Sequence, residues 1–78
     1  MGQDYKSKKY RAEFYKRNNS VGIRHKTGKQ CFSFGGTRCG LGKEVMMGFA
    51  GMALKRLDAG TKEEDVETWA KEAVKRDD

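Results

Sequence analysis

The sequence predicts an α+β fold of βββαα order, a three-stranded antiparallel sheet followed by two helices in a single small domain. Two patterns carry that expectation. Between Tyr10 and Phe34, apolar and polar residues alternate in three short runs separated by turn chemistry, and beyond Lys43 the apolar residues return every three or four positions instead. Strand side chains point alternately to opposite faces, whereas helix side chains return to one face every 3.6 residues, so the two periods mark two kinds of element. A third observation concerns charge. Residues 1–30 hold nine Lys/Arg against two acids, while residues 61–78 hold four against seven, so the excess positive charge sits in the alternating segment.

The alternating runs predict strands over residues 9–16, 20–26 and 30–35. Ala12, Phe14, Val21, Ile23, Phe32 and Phe34 share one face, which becomes the core side. Arg11, Glu13, Tyr15, Arg17, Arg24, Lys26 and Ser33 fall on the other. Arg24 is expected at its centre, flanked by Tyr15 and Arg17 on one side and Ser33 on the other. The first turn, Arg17-Asn18-Asn19-Ser20, offers Asn for a positive φ, and the second, Lys26-Thr27-Gly28-Lys29, offers Gly. Residues 1–8 lack an apolar period and are expected as a flexible basic arm that either follows a groove or merely frays, with the compact domain over residues 9–78.

Gly35 to Gly42 form a glycine-rich exit from the sheet. A helix is expected over residues 43–59, with Met46, Phe49, Ala50, Ala53, Leu54 and Leu57 on one stripe. Gly48 and Gly51 each cost a helix about 1 kcal/mol relative to alanine, which points to close approach of the sheet or of a partner. Gly60 is placed as a left-handed stop, and Thr61-Lys62-Glu63-Glu64 fits a capping box for a second helix over residues 62–76. That helix puts Val66, Trp69, Ala70, Ala73 and Val74 on one face, with acids in its first turn and Lys75 and Arg76 in its last. Trp69 is expected either to be largely buried against the first helix or to anchor a dimer.

With 78 residues the chain supports one core and buries about 60–70% of its unfolded surface. No stretch is apolar enough over a sufficient length to cross a membrane, and the N-terminus matches neither a secretory leader nor a myristoylation pattern, since Lys6 stands where Ser or Thr is required. A cytoplasmic, reducing setting with Cys31 and Cys39 as free thiols is therefore expected. Residues 36–43 lack the phosphate-loop spacing, and Gly40-Leu41-Gly42 lacks the third glycine of a dinucleotide fingerprint, which leaves a plain loop. His25, Cys31 and Cys39 offer three ligands at most with no paired spacing, so no structural metal or other cofactor is expected. One histidine in a basic hairpin is weak support for a nucleophile, and the acids of the last helix read as surface charge, so no enzyme activity is expected.

Tyr15-Lys16-Arg17-Asn18-Asn19, Arg24, Thr27-Gly28-Lys29 and Phe34-Gly35, followed by a helix from Lys43, form an order that resembles the AP2-like DNA-binding fold. It is more similar still to the arm-binding N-terminal domain of phage-type tyrosine recombinases. The resemblance spans roughly residues 9–57. It implies a sheet inserted in the DNA major groove, with Arg11, Tyr15, Arg17, Arg24 and Lys26 at the duplex. The chain departs from it in having no catalytic recombinase portion and in adding a second, acidic helix, so the resemblance implies a freestanding accessory protein of a phage or mobile element. Gly40-Leu41-Gly42-Lys43-Glu44, running into Phe49-Ala50-Gly51-Met52-Ala53-Leu54, is also similar to the last helix of double-stranded RNA-binding domains, though only Lys43 stands at the phosphate-binding place and the first helix of that fold is missing.

The expected partner is therefore double-stranded DNA. Lys8, Lys9, Lys16 and Lys29 would meet phosphates, and Arg11, Tyr15, Arg17, Arg24 and Lys26 would present the sheet face. Arg38 and Lys43 are candidate phosphate contacts at the helix start. An acidic host protein, regulated or inhibited by the same basic face, is the alternative partner, and double-stranded RNA a further one; the protein itself is expected as a monomer or homodimer.

Overall fold

The computed structural model describes residues 5–75 and has the expected order: β1 (Tyr10–Tyr15), β2 (Ser20–His25), β3 (Gln30–Gly35), α1 (Lys43–Asp58) and α2 (Glu63–Ala73). The strands form one antiparallel sheet in the order β1-β2-β3. Its turns follow the residue chemistry. Asn19 takes a left-handed φ of 52° in the first, and Gly28 a φ of 110° in the second. Strict pairing breaks once, between Ile23 and Arg24. Ile23 pairs with Phe32 and Arg24 with Gln30, which leaves Cys31 as an extra residue in β3.

Both helices lie on the same side of the sheet. α1 packs across β1 and β2, and α2 packs on β3 and on α1. Val21, Ile23, Phe32 and Phe34 of the sheet meet Met46, Ala50, Ala53, Leu54 and Leu57 of α1, with Val66, Ala70 and Val74 completing the core. Alternation explains this arrangement, because it gives the sheet one apolar face and that face needs cover. Full burial of a side chain such as Leu54 contributes roughly 1.5–3 kcal/mol.

The end of α1 shows how local chemistry sets the helix boundaries. Gly60, at φ 101°, follows the C-cap Ala59; its amide donates to the Leu57 carbonyl and the Thr61 amide to the Arg56 carbonyl. This is the pair of bonds of a Schellman motif. Thr61 is committed to that motif and does not cap α2 as the capping box predicts. The N-cap is Lys62, whose carbonyl accepts from the Asp65 and Val66 amides, with no side-chain cap. α2 also stops at Ala73, so Lys75 lies beyond its last turn and Arg76 lies outside the described residues.

Three further expectations change. The flexible arm expected over residues 1–8 is, from residue 5, a docked segment. Ser7 is buried and donates to Asp58 Oδ1 at 2.7 Å, Tyr5 donates to Asp58 Oδ2, and the Lys9 and Tyr10 amides donate to Ser7 Oγ; residues 1–4 lie outside the described residues. Gly48 does not mark a close approach, because a β-carbon there would meet open space, whereas Gly51 is buried. Trp69 is half-buried; it meets the edge of Phe49 at 6.3 Å, and the Arg56 guanidinium covers its face at 4.2 Å. A cation over an indole lets one side of the ring face solvent at modest cost.

Two measurements check this packing. Leu54→Ala should lower unfolding free energy by about 2–5 kcal/mol in a denaturant titration, whereas Val45→Ala, at a position 48% exposed, should change it by less than ~0.5 kcal/mol. The hydroxyls of Tyr5 and then Ser7 hold the Asp58 carboxyl below its ordinary value. A carboxylate favoured in this way adds stability that is complete above its unfolded pKa of about 4 and is lost as pH falls through the lower folded value. Thermal melts across that acid window should therefore fall less steeply for Asp58→Asn than for the unaltered protein.

Candidate nucleic-acid interface

Among the described residues no helix covers the second face of the sheet, whose residues come from all three strands. The register places Arg11 opposite Arg24, Glu13 opposite Gly22, Gly22 opposite Ser33, and Arg24 opposite Gln30. Between residues 8 and 30 the sequence has eight Lys/Arg and one acid, Glu13. That acid stands in the middle of the face.

Glu13 organises the centre. Its Oε2 lies 3.1 Å from Arg11 Nη2 and its Oε1 lies 3.2 Å from Arg24 Nε. The Tyr15 hydroxyl donates to Glu13 Oε1 at 3.0 Å and accepts from Arg24 Nε at 3.3 Å, while Arg24 Nη1 donates to the Gly28 carbonyl at 2.8 Å. Tyr15 first, and then Glu13, hold the Arg24 guanidinium above its ordinary pKa. Tyr15 reaches this position because Gly22 has no side chain. A β-carbon there would lie 2.7 Å from the Tyr15 ring, so the ring lies across the central strand.

This geometry revises the expected surface. Arg24 is central but braced, with its side chain only 29% exposed. Its cross-strand neighbours are Arg11 and Gln30, not Arg17 and Ser33. Arg17 and Lys26 fall in the turns, because the strands stop at Tyr15 and His25. Lys16 and Arg17 are exposed at one end of the sheet, and Lys26 and Lys29 at the other. Lys8 and Lys9 are exposed beside that second end, where the Lys9 carbonyl accepts from the Lys26 amide at 2.9 Å.

The two residues expected at the helix start separate. Lys43 sits 5.8 Å over the Phe14 ring and shares an open cleft of 470 Å³ with Lys16 and Asn19. Arg38 instead lines a hollow with Lys71 and Lys75, away from the sheet face. Sequence reasoning missed Gly22, whose role depends on the ring of Tyr15 at the end of β1, and Asn19, whose amide clamps the glycine-rich exit by donating to the carbonyls of Gly36 and Leu41 at 3.3 and 3.1 Å. The Asn18-Asn19 pair was the signal for a turn, and carried nothing about the loop it holds.

Among the described residues, no helix is long and apolar enough to cross a membrane. No family model, curated protein or solved structure matches this chain.

Gly22→Ala tests the centre of the face. The atoms nearest the added methyl belong to the far end of the Tyr15 side chain, so that ring should swing off the strand. In nuclear magnetic resonance spectra the Tyr15 ring and Arg24 side-chain resonances should shift, while those of Leu54 and Ala50 on the helix side stay in place.

Proposed function

We propose that this protein binds double-stranded nucleic acid, DNA foremost, through the open face of its sheet. The observation that carries this reading is the uncovered face itself, which bears positive charge at its centre and at both ends while both helices lie on the opposite side. Its dimensions suit a groove. Strands of six residues are about 20 Å long and three of them are about 10 Å across, close to the ~12 Å width of the B-DNA major groove.

In this reading the residues divide their work. Lys8, Lys9, Lys26 and Lys29 at one end and Lys16 and Arg17 at the other meet phosphates, and Lys43 adds to the second group through its shared cleft with Lys16. Such contacts release condensed counterions and set position without reading sequence. Arg11 and Arg24 face the bases, where a guanidinium forms paired hydrogen bonds with a guanine edge. Glu13 holds both arginines in place and also opposes phosphate, so it restrains affinity while aligning the readers.

One observation favours a second reading, in which an acidic protein surface takes the same face. The centre carries both signs, since Glu13 is paired with Arg11 and Arg24, and a mixed-sign centre can satisfy a partner's carboxylates and cations together. The resemblance of residues 9–57 to recombinase arm-binding domains supports the first reading over this one.

Titration of a labelled mixed-sequence duplex at two salt concentrations tests the proposal. Affinity should fall steeply with salt, and Lys26→Ala with Lys29→Ala should each flatten the logarithmic salt slope by about 1. Arg24→Ala should weaken binding by roughly 1–3 kcal/mol, Glu13→Gln should strengthen it, and Lys75→Ala should leave it unchanged. No measurable duplex binding, or equal binding by all variants, would overturn the nucleic-acid reading and leave the acidic protein.

A further inference from the structure

A group of side chains lies at the end of the sheet away from the β1–β2 turn, and none of the interface chemistry uses it. His25 closes β2, Cys31 is the extra residue of β3, and Glu63 opens α2. Their imidazole nitrogen, thiol sulfur and carboxylate oxygen all lie within 4.8 Å of one another. His25 Nε2 and Glu63 Oε2 are 3.3 Å apart. Two donors about 2.05 Å from one tetrahedral zinc are themselves about 3.3 Å apart, and a thiolate at about 2.3 Å stands about 3.6 Å from either. The first edge of such a site is therefore already set, and the sulfur needs a shift of about 1 Å to complete it.

The irregularity in β3 is what brings the sulfur there. Regular alternation would turn Cys31 to the open face, opposite to Phe32 and Phe34. The extra residue breaks that alternation, and Cys31 instead packs against the core beside Glu63. Tyr10 supports the group from β1. Its ring lies 4.9 Å from that of His25, and its hydroxyl donates to Glu63 Oε2 at 3.4 Å. Hydrogen bonds of this kind orient metal-ligating carboxylates. The set differs from the one weighed in the sequence. Cys39 is at the other end of the molecule, where its thiol donates to Met46 Sδ and accepts from Asn19 Nδ2, and Glu63, read as surface charge, takes its place.

We propose that His25 Nε2, Cys31 Sγ and a Glu63 carboxylate oxygen form a three-ligand zinc site with a fourth position open to water or an outside ligand. The donor chemistry selects the metal. A thiolate and an imidazole favour zinc over magnesium or calcium, which require oxygen ligands. A catalytic cysteine is the competing use of these side chains, and the surroundings oppose it. Burial first, and Glu63 next, push the Cys31 thiol above its ordinary pKa, the reverse of what activates a nucleophile. Zinc replaces the thiol proton, so it removes that obstacle. A bound ion would clip α2 to the β2–β3 hairpin and fix the turn that carries Lys26 and Lys29.

Cobalt(II) substitution of the full chain tests this directly, independently of any nucleic acid. Added cobalt should produce thiolate-to-metal charge-transfer absorption and the intense visible bands of a tetrahedral centre, and stoichiometric zinc should abolish both. Cys31→Ser should remove the charge-transfer band, His25→Ala and Glu63→Gln should each weaken binding at least about tenfold, and Cys39→Ser should bind as the unaltered protein does. Circular dichroism confirms that each variant is folded. As a second readout on the unaltered chain, zinc should slow alkylation of Cys31 but not of Cys39, as mapped by mass spectrometry. Absence of the tetrahedral bands, survival of the charge-transfer band in Cys31→Ser, or equal protection of both cysteines would overturn the assignment.

Discussion

One constraint shapes the rest of the molecule. Alternation gives the sheet a single apolar face, and Val21, Ile23, Phe32 and Phe34 on that face have to be removed from water. The chain has two helices with which to do so, and both are needed there: α1 spans β1 and β2 and α2 reaches β3. Nothing remains to cover the other face among the described residues. An open antiparallel sheet face is stable only if it carries polar side chains, and this one carries charge. The uncovered basic surface is thus a consequence of how the core is closed, and any function placed on it draws on a rigid support.

The charge on that surface is arranged as well as abundant. Like charges directly opposite one another on neighbouring strands repel, and Arg11 faces Arg24. Glu13 relieves this by touching both guanidiniums, and Tyr15 adds a hydroxyl between Glu13 and Arg24. Two arginines are therefore held in defined positions before any partner arrives, which lowers the entropy lost on binding. The turn lysines carry no such brace and remain exposed. Braced groups at the centre with exposed cations at the ends would suit a partner whose charge is repeated along its length.

Much of the fold was legible because period is a local property. Each strand and helix could be read from its own residues, and Asn19, Gly28 and Gly60 fell at positive φ where turn chemistry requires it. What could not be read depends on residues distant in the chain. Cys31 looked like an ordinary strand position, because an extra residue in β3 is visible only in its pairing with β2. Glu63 looked solvated, because its neighbours Tyr10, His25 and Cys31 lie more than thirty residues earlier. The arm looked mobile because Asp58, its anchor, stands at the far end of α1. On the open face, alternation was enough to group Arg11, Glu13, Tyr15 and Arg24, but it put Arg17 and Lys26 on the strands instead of in the turns and left Arg24 free at the centre. The brace formed by Glu13, by Tyr15 across Gly22 and by the Gly28 carbonyl requires the register.

The central claim is that the face opposite the helices is the working surface. Titrating isotopically labelled protein with a short mixed-sequence duplex, and following backbone amide shifts residue by residue, tests it most directly. The account predicts shifts at Arg11, Gly22, Arg24 and Ser33 and in the turns around Arg17 and Lys26, with Val45, Gly48 and Met52 on the outward side of α1 unmoved. Shifts concentrated on that side of α1, with the sheet unmoved, would contradict it.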